Sequence, residues 1–217
     1  MRFIKRKNKR STNKTLKFIA LSGTTGVTEN LYIYEYGNDM IIVDCGIGFP
    51  RSDMYGIDLV IPDFTYIRKN IKKLQGVLIT HGHEDHLGAL PFLLKEVSTK
   101  IYTTKLAAGF IDEKLRDAGI EKQKINVINP EKDVVTLGVF RVTPFRISHS
   151  VPDSVGFCID TPEGKIFHVP DYKFDWTPVD GHTFDTARAS ILASSGVLAL
   201  ASDIVVSTMD SLSSSAA

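Results

Sequence analysis

Four side chains that commonly bind metal ions lie within six consecutive residues of this chain. Residues 81–86 read HGHEDH, and the ligand candidates are His81, His83, Asp85 and His86. Neutral imidazole and carboxylate groups suit zinc or manganese, and a ligand set of this kind without cysteine is typical of open catalytic sites that activate a water. The spacing allows the four side chains to divide between two adjacent ions. This histidine-rich segment therefore predicts a metallohydrolase.

The same segment is also compatible with a chance cluster of histidines or with a closed structural zinc site. The chain has six histidines, and half of them fall within this segment, which argues against chance. Structural zinc sites are mostly rich in cysteine, whereas Cys45 and Cys158 lie far apart in apolar runs. We expect both cysteines to be buried reduced thiols, in keeping with a cytoplasmic protein.

Two further ligand candidates follow strand-like runs later in the chain. His149 comes after the run 139–145, and Asp171 comes after the run 165–169. The histidine-rich segment likewise follows an apolar run. Because ligands bind beyond the carboxyl ends of strands in open α/β sheets, these side chains are expected to share one site. Taken singly, His149 and Asp171 are each also compatible with an ordinary turn.

The alternation of strand and helix patterns predicts an α/β fold. Strands are predicted near residues 17–22, 29–36, 39–45, 76–80, 124–129, 134–147, 155–160, 164–169 and 196–202. Helices are predicted near 64–74, 86–97 and 183–194, and residues 100–119 are predicted to form a strand and then a helix. With 217 residues and 43% hydrophobic content, the chain has the composition of one globular unit.

Four segments beyond the histidine-rich one carry a family resemblance. They are IIVDCG at 41–46, GIDLVIPDFTY at 56–66, SHSVPDS at 148–154 and DYKFD at 171–175. From about Phe18 to Asp203 the chain resembles the ribonuclease J family, in the β-CASP branch of the metallo-β-lactamase fold. Many hydrolases share the histidine-rich segment, whereas 56–66 and 171–175 are much more specific. The resemblance implies an αββα sandwich, in which two sheets lie between helices.

The resemblance also implies two divalent metal ions, zinc in the first place and manganese as the alternative. The implied ligands are His81, His83 and His149 for the first ion, Asp85 and His86 for the second, and Asp171 as a bridge between them. An anionic bridge would offset the repulsion between two dications about 3.5–4 Å apart, the separation that two-metal phosphodiesterases use.

Three aspartates have further implied roles. Asp85 would also orient the nucleophile or take up its proton during in-line attack on phosphorus. Asp44 would support the ligand loop without binding metal itself. Asp203 would assist proton transfer, with an ordinary strand-end carboxylate as the alternative.

The chain departs from the family pattern at two places. Proline stands at position 170, directly before Asp171, where the family usually has glycine, so the local hydrogen bonds must differ. After Asp203 the resemblance stops, and residues 204–217 form a divergent tail rich in serine and alanine. The family would continue there into the β-CASP domain and later supply a last histidine ligand. Residues 18–203 are therefore expected to form a partial domain, with the first sheet, part of the second and exposed apolar edge strands.

The charge is unevenly distributed along the chain. Residues 1–17 hold eight basic side chains and no acidic one, and the remainder holds 18 basic and 25 acidic side chains. We expect this basic arm to be disordered. It either contacts RNA phosphates in a salt-sensitive way or serves as a solubilising tail. No apolar run is long enough for a membrane span, so no membrane partner is expected.

The resemblance implies a cytoplasmic RNA phosphodiesterase that acts by two-metal hydrolysis. Endonucleolytic and 5′-to-3′ exonucleolytic activity both occur in the family, and both stay open here. Complete members often form homo-oligomers, partly through regions absent from this chain. Two alternatives also stay open: a small-molecule metallohydrolase of thioesterase or lactonase type, and a noncatalytic truncated fragment.

Overall fold

A computed structural model describes residues 14–22 and 29–203 of the chain. Most of the expected basic arm and the whole of the expected divergent tail lie outside the described residues. The arm overlaps the first strand slightly, because that strand begins at Leu16. Among the described helices, none has the length and apolar character needed to cross a membrane.

The first sheet has six strands in chain order. They are β1 (Leu16–Ser22), β2 (Leu31–Tyr36), β3 (Asp39–Val43), β4 (Leu74–Leu78), β5 (Ile101–Thr103) and β6 (Ile125–Val127). The first three strands pair antiparallel, and the last four pair parallel. A two-residue turn joins β2 to β3, and Gly37 in that turn has a φ of 62°, which glycine adopts without steric cost.

The second sheet has five strands. They are β7 (Val135–Leu137), β8 (Phe140–Arg146), β9 (Val155–Thr161), β10 (Gly164–Val169) and β11 (Ala199–Ser202), in the spatial order β11-β10-β9-β8-β7. Pairing is antiparallel except between β10 and β11. The prediction of a single strand at 134–147 is wrong. This segment forms the two strands β7 and β8 of a hairpin that turns at Gly138, where φ is 59°. The Asp39 carboxylate packs on Gly138 and accepts a bond from Val139 N, which fixes the turn.

The helices lie outside the two sheets. They are α1 (Thr65–Lys69), α2 (Glu84–Leu87), α3 (Leu90–Glu96), α4 (Lys105–Asp117) and α5 (Thr186–Ala193), with a 3₁₀ turn at Ile71–Lys73. The prediction of one continuous helix at 86–97 is wrong, because the helix is interrupted between α2 and α3. Ala89 N donates to Cys45 O rather than continuing the helix, and Pro91 has no N–H to donate to the preceding turn.

Two faces of the first sheet bury different sets of side chains. Ile41, Val43 and Leu78 pack against Phe140 and Phe157 of the second sheet. The alternate residues along the strands pack against the helices; they include Ile33, Ile42, Val77, Leu90 and Ile111. On the outer face of the second sheet, Phe145, Cys158 and Phe167 pack against residues of α5. The layers are therefore helix, sheet, sheet, helix, and the predicted αββα sandwich is confirmed.

A buried carboxylate joins the elements at one end of the first sheet. Glu35 on β2 accepts bonds from Lys17 Nζ on β1 at 3.0 Å, Lys73 Nζ at 3.0 Å and Tyr66 OH on α1 at 2.9 Å. Its side chain is 3% exposed. Because an unpaired buried charge is costly, these bonds hold β1 and α1 to the sheet.

The outermost strands of the two sheets present apolar side chains to solvent, as the sequence predicts. Phe18 on β1 is 51% exposed and Leu200 on β11 is 64% exposed. These strands border a cleft of about 330 Å³ whose lining includes Tyr32, His86 and Asp203.

Candidate metal centre

The predicted ligand residues lie together beyond the carboxyl ends of several strands. The histidine-rich segment follows β4, His149 follows β8, Asp171 follows β10 and Asp203 follows β11. Strands β8, β10 and β11 run in the same direction, because β8 and β10 are each antiparallel to β9 while β11 is parallel to β10. Their carboxyl ends therefore lie at the same end of the second sheet, close to the carboxyl end of β4.

The first group of ligand candidates contains three histidines and one aspartate. The potential ligand atoms of His81, His83, His149 and Asp171 all lie within 4.8 Å of one another. His83 Nδ1 lies 3.1 Å from both His81 Nε2 and His149 Nε2, and His149 Nε2 lies 3.6 Å from Asp171 Oδ2. Three imidazole nitrogens that converge so closely present several lone pairs to one point, an arrangement that suits a cation.

The second group of ligand candidates shares a residue with the first. Asp85, His86 and Asp171 also have ligand atoms within 4.8 Å of one another. His86 Nε2 lies 3.5 Å from Asp85 Oδ2 and 3.7 Å from Asp171 Oδ2. The carboxylate of Asp171 therefore stands between the two groups, which is the position that a bridging ligand requires.

One oxygen of Asp171 provides a test of whether a cation fits. Asp171 Oδ1 is buried and has no hydrogen-bond donor among the described residues. A buried carboxylate oxygen without a partner is costly, and a divalent cation would satisfy it. The donor set also matches, since histidine nitrogens and carboxylate oxygens without cysteine suit zinc or manganese in an open site. The residues present therefore fit two divalent ions.

Asp44 orients two of the ligand histidines without belonging to either ligand group. It is fully buried and accepts bonds from His86 Nδ1 at 2.8 Å, from Thr80 N at 2.8 Å and from Thr80 Oγ1 at 2.9 Å. Thr80 Oγ1 in turn lies 2.9 Å from His81 Nδ1 and accepts its proton. In the neutral form that binds metal, each of these two histidines would therefore carry its proton on Nδ1 and present Nε2 to the site. Asp44 has a φ of 60°, which aspartate tolerates better than most residues.

Helix α2 is held in place by backbone bonds from the loop after β3. Cys45 N donates to His86 O at 2.7 Å, and Ile47 N donates to Glu84 O at 3.0 Å. Gly46 lies so close that a Cβ atom built on it would stand 1.5 Å from Asp85 O. Position 46 therefore requires glycine, because only a bare backbone lets the loop and α2 approach to this distance.

Burial lowers the pKa of two ligand histidines. The pKa of His81 falls well below its usual range because of burial, and neighbouring histidines lower it further. Burial likewise lowers the pKa of His149 to about 4, despite the opposing charge of Asp171. Both side chains are therefore neutral at pH 7, the state in which imidazole binds metal.

The remaining titratable groups of the site are shifted by burial and by one another. Burial lowers the pKa of His86, but Asp44 and Asp171 outweigh it and raise that pKa to about 10. Burial raises the pKa of Asp85, and it raises the pKa of Asp203 to about 6 with a further contribution from Asp171. Burial raises the pKa of Asp171, but the hydrogen bond and the charge of His86 outweigh burial, and the pKa of Asp171 is lowered overall.

The other histidines and the cysteines lie outside the two ligand groups. His168 is buried, with Nδ1 2.9 Å from Tyr34 OH, and burial lowers its pKa to about 4. His182 lies on an exposed turn. Cys45 and Cys158 are both free and buried, as the sequence predicts.

The structure adds contributors that the sequence does not reveal. Thr80 relays the effect of Asp44 to His81, and Asn30, which precedes β2, lies against the pair formed by Asp85 and His86. Neither position has a ligand spacing or a charge that would mark it. Both roles depend on contacts between residues far apart in the chain, so they emerge only from the fold.

Comparison with known proteins gives consistent similarities. A family model described as the metallo-beta-lactamase superfamily matches residues 24–200. The chain is 43% identical over 198 residues to Ribonuclease J 1 of Streptococcus pyogenes serotype M3, covering 88% of this chain and 35% of that protein. It is 37% identical over 198 residues to Ribonuclease J of Synechocystis, covering 90% of this chain and 31% of that protein. It is 36% identical over 195 residues to Ribonuclease J2 of Bacillus subtilis, covering 90% and 35%.

These matches confirm the resemblance to ribonuclease J that the sequence predicts. The chain spans about a third of the length of the curated relatives it matches. The relatives therefore describe the family of the shared segment.

Solved structures agree with the fold. A protein of unknown function from Enterococcus faecalis gives a TM-score of 0.58 at 17% identity, covering 74% of this chain and 44% of that chain. A metallo-β-lactamase from Cronobacter sakazakii gives a TM-score of 0.53 at 11% identity, covering 82% and 72%. At such low identity these likenesses concern the fold alone.

Proposed function

Because this chain belongs to the metallo-β-lactamase superfamily and is similar to ribonuclease J proteins, we propose that it carries the metal centre of an RNA phosphodiesterase. The observation that supports this most directly is the position of Asp171 in both ligand groups. A shared carboxylate is what two adjacent cations require, and adjacent cations are a common device for hydrolysing phosphodiesters. The substrate is RNA, and the reaction takes place in the cytoplasm.

Each ligand candidate has a place in this proposal. His81, His83 and His149 would hold one ion and Asp85 and His86 the other, while Asp171 belongs to both ligand groups. When bound, two divalent ions lower the pKa of a water and stabilise negative charge on phosphoryl oxygens. Zinc is the proposed metal, with manganese as the alternative. Asp44 fixes the ring orientation of His86 and, through Thr80, that of His81.

Two carboxyl groups are placed to move protons. Asp85 lies within the second ligand group, where its carboxylate would orient the nucleophile or take up its proton. Asp203 lines the cleft with His86, and its pKa of about 6 leaves a fraction protonated at neutral pH. We assign to Asp203 the donation of a proton to the departing ribose oxygen.

The experiment that tests the proposal measures the hydrolysis of three substrates by the purified chain. A 5′-monophosphorylated single-stranded RNA, a nitrophenyl phosphodiester and a thioester are each incubated with zinc- and with manganese-loaded protein. Labelling the RNA at either end separates endonucleolytic from 5′-to-3′ exonucleolytic cleavage.

The matched variants are His83→Ala, within the ligand groups, and His182→Ala, on an exposed turn outside them. We expect cleavage of RNA that His83→Ala abolishes and His182→Ala preserves. Hydrolysis of the thioester without cleavage of RNA would instead identify a small-molecule hydrolase. Binding of metal without turnover of any substrate would identify a noncatalytic chain.

A further inference from the structure

A carboxamide lies against the Asp85–His86 pair. Asn30 is 1% exposed and precedes β2 directly. Its Nδ2 lies 3.4 Å from Asp85 Oδ2 and 3.0 Å from His86 Nε2. Its backbone is fixed to the same elements, because Asn30 N donates to Asp85 O and Asn30 O accepts from Gly46 N, each at 2.9 Å. The amide is therefore anchored beside both ligand candidates.

A tyrosine hydroxyl determines which end of the amide faces the ligands. Tyr32 OH donates to Asn30 Oδ1 at 2.9 Å, so the amide nitrogen is turned towards both His86 Nε2 and Asp85 Oδ2. The opposite orientation would place the amide oxygen against a carboxylate oxygen, which is repulsive. Asn30 and Tyr32 are two residues apart in an extended segment and so point to the same face.

The tyrosine ring is itself held firmly. It stacks on Phe18 with a centroid distance of 5.9 Å and meets the ring of His168 edge-on at 5.2 Å. Burial and the surrounding carboxylates raise the pKa of Tyr32, so its hydroxyl keeps its proton and continues to donate. The orientation of Asn30 is therefore set by an aromatic residue that packs against both Phe18 and His168.

We propose that Asn30 is a positioning residue for the second metal ion, that its amide holds Asp85 in the ligand conformation, and that Tyr32 sets the direction of this amide. This inference rests on the proposed two-ion centre. Asp85 belongs to the smaller ligand group, with three candidates rather than four, so the loss of one supporting bond should weaken that ion selectively. Groups that orient metal ligands in this way contribute about 10–100-fold to metal affinity.

The test is a titration of the metal-free chain with cobalt(II) chloride, followed by visible absorption, which resolves two binding events. Asn30→Ala removes the amide, and Tyr32→Phe removes only the hydroxyl that directs it. Tyr34→Phe is the matched control, because it removes a buried hydroxyl of the same strand that bonds to His168 rather than to Asn30. Unfolding by urea without metal measures the structural cost of each change.

We expect Asn30→Ala and Tyr32→Phe to weaken one of the two binding events by about 10–100-fold and to leave the other within about threefold. Tyr34→Phe should leave both unchanged, although its cost in urea should resemble that of Tyr32→Phe. If Asn30→Ala does not fold, Tyr32→Phe decides the matter. Two unaltered binding events in Tyr32→Phe would overturn the inference while leaving the two-ion centre intact. A wild-type chain that takes up fewer than two ions would contradict the centre itself, and the inference with it, before any substitution is compared.

Discussion

Asp44 is the buried carboxylate on which the orientation of two ligand histidines depends. It has no access to solvent, and it accepts bonds from the ring of His86 and from both the backbone and the hydroxyl of Thr80. Replacing it by glycine removes the carboxylate and suits the φ of 60° at this position. Asp44→Gly therefore tests the carboxylate without adding backbone strain.

The expected cost follows from the groups that would lose their partner. Removing one member of a buried charged pair costs about 3–5 kcal/mol, because the other member is left without compensation. Three donors lose their acceptor in Asp44→Gly, so we expect a loss of about 3–5 kcal/mol in the free energy of unfolding. Asp44→Asn keeps an acceptor oxygen but also removes the charge that compensates His86, so we expect a loss at the lower end of the same range, about 3 kcal/mol.

The measurement is unfolding in urea with a chelator present, followed by circular dichroism, so that metal does not contribute. A metal titration of the folded fraction should show affinity weakened by about 10–100-fold in both variants. If Asp44→Gly changes the free energy of unfolding by only about 0.5 kcal/mol, as a surface substitution would, the role assigned to this carboxylate is refuted.

Three further predictions concern packing, pH and thiol access. Gly46→Ala should displace α2 and abolish metal binding, because its added Cβ has no room. Gly109→Ala, where an added Cβ meets nothing within 4 Å, should leave metal binding unchanged. Calorimetric metal titration of both variants checks this, and normal binding by Gly46→Ala would refute it. Burial raises the pKa of Glu35, but bonds from its lysine and tyrosine partners lower it below the usual 4.5. The stabilisation by ionised Glu35 is therefore present above pH 4.5 and lost as the pH falls through the lower pKa of the folded state. The difference in free energy of unfolding between wild type and Glu35→Gln should therefore narrow when urea unfolding is measured at acidic pH. A difference that stays constant would contradict this. Cys45 and Cys158 should resist a thiol reagent in the folded chain and react in urea, since both are buried; rapid reaction of the folded chain would count against the described core.

The sequence predicts the positions of most strands along the chain and the general place of the site, because both depend on local signals. The apolar runs that end before His81, His149 and Asp171 are strong strand patterns, and each strand end is marked by a ligand-type residue. The assignment of particular side chains to particular ions stays a prediction, although the structure brings the predicted candidates together in two groups.

The errors arise where distant residues decide the local structure. A helix over 86–97 is a reasonable prediction from the apolar pattern, but Cys45 O takes the bond of Ala89 N and interrupts it. The predicted strand 134–147 likewise contains a turn that depends on Asp39, about a hundred residues earlier in the chain. Local propensity carries no information about such partners.

The position of Asn30 could not be predicted for the same reason. An asparagine before a strand is an ordinary residue in the sequence, and nothing in its spacing relates it to Asp85, 55 residues later. The pairing of β2 with β3, the bonds from the loop after β3 to α2, and the bond from Asn30 N to Asp85 O bring the two side chains together.

The central claim is that Asp171 is shared by two metal ions. The most direct measurement is the metal content of the intact folded chain by native mass spectrometry, after loading with zinc and removal of excess metal. Asp171→Asn is the test variant, and Asp175→Asn, whose carboxylate bonds to Lys173 outside the ligand groups, is its matched control. We predict two ions in the wild type and in Asp175→Asn, and at most one in Asp171→Asn. A wild-type chain that holds one ion or none, or an Asp171→Asn variant that keeps both, would contradict the account.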